Sequence, residues 1–97
     1  MNRNRLIDFF DSTIARARKI LLERNEKRAS DFDALSNLRS EALVCGIDVQ
    51  QHMLNYIGIK YTRLQHAIVS GEDATDHVDD LINYLILLMA LKHKETR

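Results

Sequence analysis

The last third of the chain changes from an acidic segment to an apolar one. Glu72, Asp76 and Asp80 follow each other at four-residue intervals, and Asn83 comes three residues later. On a helix these spacings place the polar side chains along one stripe. From Leu81 onward, apolar residues fall on almost every helical face, and such a helix has to be covered on all sides. In so short a chain, this pattern predicts that a second copy of the protein provides part of the cover.

Three earlier segments carry apolar residues at three- and four-residue intervals, which is typical of amphipathic helices. The predicted helices span about 4–28, 30–45, 49–69 and 75–92. Ser30 with Asp33 predicts a capped start for the second helix, and Asp48 predicts a cap for the third. Gly46 fits the left-handed residue that follows a helix. The short connections favour an all-α antiparallel bundle of about four helices in one domain, residues 1–97.

The same pattern predicts which side chains are packed. The first helix should face the core with the stripe Leu6, Phe10, Thr13, Ala17 and Leu21. Gly58 inside the third helix predicts a close approach of another helix or of a ligand, because glycine otherwise weakens a helix. Cys45 is interpreted as a small buried residue, since no His or Asp nearby suggests a nucleophile.

Composition excludes several classes of protein. The 97 residues include 14 basic and 14 acidic side chains, so the formal net charge is zero, which argues against general nucleic-acid binding. One cysteine cannot form an internal disulfide, and no signal peptide or long apolar span is present. A cytoplasmic location, with no membrane association, is the natural expectation. It would be the host cytoplasm if a phage encodes the protein.

The charges are segregated along the chain. Residues 1–28 hold eight Lys and Arg against four acids, whereas residues 72–80 hold five acids and no base. One interpretation is solvated helix faces joined by ion pairs between helices. The other is a ligand site where the basic and acidic segments meet.

The third predicted helix carries His52, Tyr56, Lys60 and Arg63 along one face. These groups suit a phosphorylated aromatic ligand, because Arg and Lys bind phosphate oxygens and a tyrosine ring can stack on a base. Alternatively, Lys60 and Arg63 pair with Asp76 and Asp80 of the following helix.

A magnesium site is a further hypothesis. Glu72, Asp76 and Asp80 can supply carboxylate oxygens to Mg²⁺, although acids near a helix start are also expected from the helix dipole. Glu23 and Glu26 are either a second acidic cluster or a solvated helix end. No Gly-rich phosphate loop and no nucleophile motif occur, so no catalytic residue is assigned.

Several motifs give the chain a resemblance to a known family. They are Leu22-x-x-Asn25, Asp31-Phe32-x-x-Leu35-x-Asn37-Leu38, Gly46-Ile47-x-x-x-Gln51, Lys60-x-x-Arg63-Leu64 and Glu72-x3-Asp76-x3-Asp80-Leu81-x-Asn83-Tyr84. Over residues 20–91 the chain resembles small phage and bacterial all-α proteins described as nucleotide-modification-associated. These proteins are distantly similar to MazG-like nucleotide pyrophosphohydrolases.

The resemblance implies a helical oligomer, a dimer, tetramer or hexamer, that handles a nucleotide. It implies that Lys60 and Arg63 lie toward phosphate, with Asp76, Asp80 and Asn83 nearby. The candidate ligand-binding residues are therefore Tyr56, Lys60, Arg63, Asp76, Asp80, Asn83 and Tyr84, where either tyrosine packs against the base.

Two departures from the family pattern bear on catalysis. Lys27-Arg28-Ala29 replaces the Asp-Tyr-Gly that many such proteins carry after the first helix. Glu23-x-x-Glu26 and Asp76-x-x-Asp79 lie farther apart than the paired acidic motifs of MazG-like enzymes. Both departures weaken the case for hydrolysis more than the case for binding.

Three functions follow in order of preference. The first is a non-catalytic nucleotide-binding protein that sequesters, as a sponge, a signalling nucleotide such as a cyclic dinucleotide to counter host defence. The second is a Mg²⁺-dependent nucleoside triphosphate pyrophosphohydrolase, in which a metal-activated water attacks the phosphate. The third is a helical protein-interaction module, suggested by the apolar surface of the last helix.

Overall fold

The computed structural model describes residues 1–29 and 33–93, and over these ranges the chain is helical with no strand. The helices are α1 (Arg3–Arg28), α2 (Ser36–Cys45), α3 (Val49–Ser70) and α4 (Thr75–Lys92). The all-α class is confirmed, and the bounds of α1, α3 and α4 agree with the predicted ones to within one residue. No helix in the described part of the chain has both the length and the apolar composition of a membrane span.

Side-chain caps begin two of the helices. The Asn2 side chain accepts a hydrogen bond of 2.9 Å from the backbone N–H of Arg5. The Asp48 carboxylate accepts from the backbone N–H groups of Gln50 and Gln51 at 3.0 and 3.3 Å, as predicted. These bonds satisfy backbone donors that have no partner within the first turn of a helix.

Glycines end α2 and α3 in the left-handed conformation. Gly46 has φ 69° and Gly71 has φ 73°. A side chain at such a φ is strained, whereas glycine adopts it freely, so both helices can end by turning back on their last carbonyls. The prediction for Gly46 is confirmed.

The start of α2 differs from the prediction. The helix begins at Ser36, and the Asp33 carboxylate accepts a hydrogen bond of 3.0 Å from the backbone N–H of Leu35. Aspartate often stabilises a turn in this way, in competition with helix formation. Asp33 therefore forms the turn before α2 instead of lying in its first turn. Ser30, the predicted cap, lies outside the described residues.

Helix α3 packs against both α2 and α4. The Glu41 carboxylate lies 3.1 Å from His52 Nε2 between α2 and α3, and Lys60 Nζ lies 2.7 Å from Asp80 Oδ2 between α3 and α4. The tight Gly71–Ala74 connection brings α4 back along α3.

Helix α1 packs on α4 near the middle of both helices. Arg16 bonds to Asp79, and Asn83 bonds to the backbone carbonyl of Ala17. Further along, Arg28 of α1 and Leu87 of α4 line the same cleft. The antiparallel arrangement of the bundle stays a prediction.

The interior is thin and partly polar. Its buried apolar residues are Ala17, Leu38, Ala42, Met53 and Ala67, and its buried polar residues are His52, Asp79, Asp80 and Asn83. Every buried residue of α4 is polar, although the helix is rich in leucine. Small and polar side chains therefore make up the contact between α1 and α4.

Predicted packing differs from the structure at four positions. Leu6 and Phe10 are exposed, because α1 extends past the start of its contact with α4. Cys45 is exposed at the end of α2. A side chain added at Gly58 would meet no atom of the described residues within 4 Å, so no other helix approaches that glycine closely, and the alternative of a ligand stays a prediction.

Truncating Met53 should destabilise the fold strongly. Its side chain is fully buried, whereas that of its neighbour Leu54 is about half exposed. We expect Met53→Ala to lower the free energy of unfolding by about 2–5 kcal/mol, because it leaves a cavity. Leu54→Ala is the matched control and should cost much less. Urea unfolding of both variants checks this, and equal losses would contradict the described interior.

Candidate functional site

The basic segment of α1 and the acidic segment of α4 meet first at Arg16 and Asp79. Arg16 Nε donates to Asp79 Oδ2 at 2.6 Å, and Nη2 donates to Oδ1 at 2.9 Å. This two-bond arrangement matches the guanidinium fork to a carboxylate. Asp79 is 1 % exposed, so it is a buried charge that Arg16 compensates. The hydrogen bond to Asp79 raises the pKa of Arg16.

The second meeting point is Asp80, which binds two cations. Arg24 Nη1 lies 2.9 Å from its Oδ1, and Lys60 Nζ lies 2.7 Å from its Oδ2. Burial by itself would raise the pKa of Asp80, but hydrogen bonds from Lys60 and Arg24 outweigh it, and the pKa is lowered. For Asp79 and Asp80, the interpretation of the segregated charges as ion pairs between helices is therefore correct.

Asn83 lies beside these ion pairs on α4. Its Nδ2 donates a hydrogen bond of 2.9 Å to the backbone carbonyl of Ala17. Its Oδ1 is buried and has no hydrogen-bond partner among the described residues. A buried oxygen without a hydrogen bond costs free energy, so this atom needs a structural explanation.

A cleft with a volume of about 120 Å³ opens next to Asn83. It is lined by Leu21, Arg24, Asn25, Arg28, Asn37, Leu38, Glu41, Tyr56, Asn83, Tyr84 and Leu87. All four helices contribute, and the lining combines cations, amides, one carboxylate and two aromatic rings. A concave site with a few converging polar groups is the usual form of a small-molecule site.

Two tyrosines form the aromatic wall of the cleft. The rings of Tyr56 and Tyr84 are tilted by 32°, with centroids 5.7 Å apart. The His52 ring meets Tyr56 edge-on at 4.7 Å. Desolvation raises the pKa of Tyr56, so its phenol stays protonated at neutral pH. The contacts with His52 and Tyr84 fix the position of the Tyr56 ring.

Two arginines of α1 form the basic side. Arg24 keeps one guanidinium nitrogen on Asp80, and about half of its side chain is exposed. Arg28 makes no ion pair with any residue in 1–29 or 33–93. A guanidinium carries five N–H donors, so both side chains have donors left for a ligand.

The structure brings together some of the residues predicted from the sequence. Tyr56, Asn83 and Tyr84 line the cleft. Lys60 and Asp80 form an ion pair with each other, and Asp80 also bonds to Arg24 of the cleft lining. The two remaining candidates, Arg63 and Asp76, are exposed and do not line it.

The carboxylates predicted to hold Mg²⁺ are not grouped. Glu72 and Asp76 are exposed, and both oxygens of Asp80 bind cationic side chains. Over the described ranges, no three His, Cys, Asp or Glu side chains are placed to hold a metal ion. Glu23 and Glu26 are exposed on α1, as expected of a solvated helix end.

Sequence reasoning missed the contribution of α1 and α2. Arg24, Asn25 and Arg28 follow Leu21 at helical spacing, which places them on one face of α1. That spacing is a usable signal, but it does not tell which other helix this face meets. Asn37 and Glu41 of α2 have the same four-residue relation.

Comparison of the chain with protein-family models, with curated proteins and with solved structures found no match. The case for a function therefore depends on the cleft and its neighbours.

Removing the charge of Asp80 should change how stability depends on pH. Because the folded-state pKa is lowered, ionised Asp80 stabilises the fold above its unfolded pKa of about 4, and this stability is lost as the pH falls through the folded pKa. We expect Asp80→Asn to be less stable than the wild type at pH 7, with the difference shrinking below about pH 4. Urea unfolding of both proteins between pH 7 and pH 2.5 measures it.

Taking the difference in stability between wild type and Asp80→Asn cancels the contributions of the other acids to the pH dependence. Asp33 and Asp73 also have lowered pKa values, and both proteins retain them. A stability difference that stays constant from pH 7 to pH 2.5 would contradict the role given to the ion pairs of Asp80.

Proposed function

We propose that this protein binds a nucleotide in the cleft between its four helices and sequesters it without chemical change. The observation that supports this most directly is the cleft lining, where Arg24 and Arg28 stand beside the Tyr56–Tyr84 pair. Guanidinium groups bind phosphate, and an aromatic ring stacks on a base. A nucleotide presents both chemical groups on one molecule.

Arg28 is the better phosphate ligand of the two arginines. It makes no ion pair with any described residue, so no described acid shares its positive charge. Arg24 is bonded to Asp80, which neutralises part of its charge and fixes its orientation. A phosphate would thus meet one cation that is already oriented and one that carries unshared charge.

The size of the cleft limits how a nucleotide would lie. Its volume of about 120 Å³ is below the roughly 300 Å³ at which sites for drug-sized ligands begin. The cleft therefore takes one part of the ligand, and the remainder lies outside it or against a second copy of the chain. A ligand with two similar ends, such as a cyclic dinucleotide, could place one end in the cleft of each of two copies.

Sequestration is preferred over hydrolysis because of what surrounds the acids. Asp80 binds Arg24 and Lys60, so its oxygens already have partners. Among the described lining residues, the one carboxylate is Glu41. It supports the second candidate, a Mg²⁺-dependent pyrophosphohydrolase, because Mg²⁺ often uses only one or two carboxylates plus the substrate phosphates.

The proposal includes an oligomer. Leu85, Ile86 and Met89 are exposed on α4, in the segment predicted to need cover from a second copy. Leu87 faces the cleft instead. Association of copies would cover this apolar surface and bring several clefts into one particle, as suits a sponge.

Recovery of the ligand separates the two candidates. The protein is incubated with nucleoside triphosphates or cyclic dinucleotides, with and without Mg²⁺, then filtered and denatured. We expect an intact nucleotide that is released only on denaturation. Mg²⁺-dependent turnover would support the enzyme instead. If the protein neither retains a nucleotide nor turns one over, the cleft has no role in nucleotide binding.

Arg28 should contribute more to nucleotide affinity than any exposed cation outside the cleft. Arg28→Ala is expected to lose about 1.5–3 kcal/mol of binding free energy, the range for hydrogen bonds to charged groups, and the loss should shrink at high salt. Titration calorimetry checks this. Arg18→Ala is the matched control on α1 and should bind like the wild type.

Arg63→Ala tests the site predicted from the sequence against the cleft. If Arg63→Ala weakens binding and Arg28→Ala does not, the ligand lies on the outer face of α3, and the cleft assignment is wrong. Arg28→Lys refines the result, because a bidentate phosphate contact needs the planar fork, whereas a simple charge does not.

A further inference from the structure

The first ten residues of α1, residues 3–12, form a segment that we call the N-terminal arm. Every residue of the arm is exposed. Four of them are large and apolar, namely Leu6, Ile7, Phe9 and Phe10, and about half or more of each side chain is accessible. A cluster of this kind on a short protein marks an interaction surface.

The arm continues the packing face of α1. Leu6 and Phe10 lie on the same helical stripe as Ala17 and Leu21, at spacings of three and four residues. From Ala17 onward this stripe meets α4, whereas Leu6 and Phe10 within the arm stay more than half exposed in the described structure. The apolar stripe thus predicts that this face of the arm is buried, whereas a single copy of the chain leaves the face exposed.

The area of the molecule indicates how large the missing cover is. The accessible surface is 7659 Å², against about 5,700 Å² for a compact monomer of this mass. The radius of gyration is 15.3 Å, against about 12.5 Å for a compact chain of this length. The excess surface exceeds the roughly 800 Å² that each partner buries in a standard interface. This excess belongs to the whole chain, and the exposed arm is one part of it.

The charges of the arm identify the partner. Arg3 and Arg5 precede the apolar residues, and Asp8 and Asp11 are placed toward the other end. When two arms lie antiparallel and cross at Ile7, Arg3 of each falls opposite Asp11 of the other. Arg3 and Asp11 border the apolar face on the same side, whereas Asp8 lies on the opposite side of the helix and takes no part in this pairing. The arm is thus complementary to itself under a two-fold axis, as an isologous interface requires.

We propose that the N-terminal arm is a homodimerisation element that packs antiparallel against the arm of a second copy. Leu6 and Phe10 of both copies form the apolar seam, and the two Arg3–Asp11 pairs flank it. An anionic membrane surface is a poorer partner, because interfacial helices carry a cationic polar face, whereas the arm has two arginines and two aspartates. The inference does not depend on nucleotide binding, and it assigns one interface to the oligomer that the proposed function includes.

Paired charge reversals test the antiparallel arrangement directly. Arg3→Glu with Arg5→Glu makes the arm wholly acidic, and Asp8→Arg with Asp11→Arg makes it wholly basic. Each double variant alone should raise the dissociation constant of the dimer by about 100-fold or more, because like charges across an interface cost several kcal/mol. An equimolar mixture should recover the wild-type mass as a heterodimer. Light scattering after size exclusion gives the masses relative to the 11.3 kDa chain.

The matched control is Arg18→Glu with Lys19→Glu, which makes the same charge change on exposed α1 residues outside the arm. It should keep the wild-type mass. Phe10→Glu should dissociate the dimer while circular dichroism shows unchanged helicity.

Three results would overturn the proposal. They are a wild-type protein that is monomeric at micromolar concentration, double variants that keep the wild-type mass, and variants that dissociate separately but do not recombine when mixed. Sedimentation with anionic phospholipid vesicles in the absence of a dimer would instead assign the arm to a membrane surface.

Discussion

The two adjacent aspartates of α4 hold the described structure together. Asp79 and Asp80 are buried, and their partners come from two other helices, α1 and α3. Removing one partner from a buried pair leaves a charge with poor solvation, which is more damaging than losing a surface pair. The bonds of α1 to Asp79, Asp80 and Asn83 are directional, so they constrain how α1 crosses α4.

This arrangement also determines the character of the cleft. Asp80 orients Arg24 at the edge of the cleft. At the same time, Asp80 competes with any ligand for the Arg24 guanidinium. A bound phosphate would have to share Arg24 with Asp80, whereas no acid among residues 1–29 and 33–93 forms an ion pair with Arg28. The ion pair that stabilises the helix packing therefore also sets how much positive charge the cleft offers.

The sequence predicts the helices well, because apolar periodicity, the Asp48 cap and Gly46 act locally. The Lys60–Asp80 pair was anticipated as one of two alternatives. The cleft was predicted only in part, since Arg24 and Arg28 come from a helix more than 50 residues away from Asn83. Periodicity likewise indicates that Leu6 and Phe10 form an apolar stripe, but not whether the cover comes from the same chain.

The thin interior and the exposed arm share one physical origin. A chain of this length buries a modest fraction of its surface, about 60 % as a compact domain, and the extended shape buries less. Stability then has to come from polar pairing, from association or from a ligand. A ligand that binds only the folded state adds stability in proportion to the logarithm of its concentration. Because the cleft is lined by all four helices, ligand binding there would stabilise the packing of every helix at once.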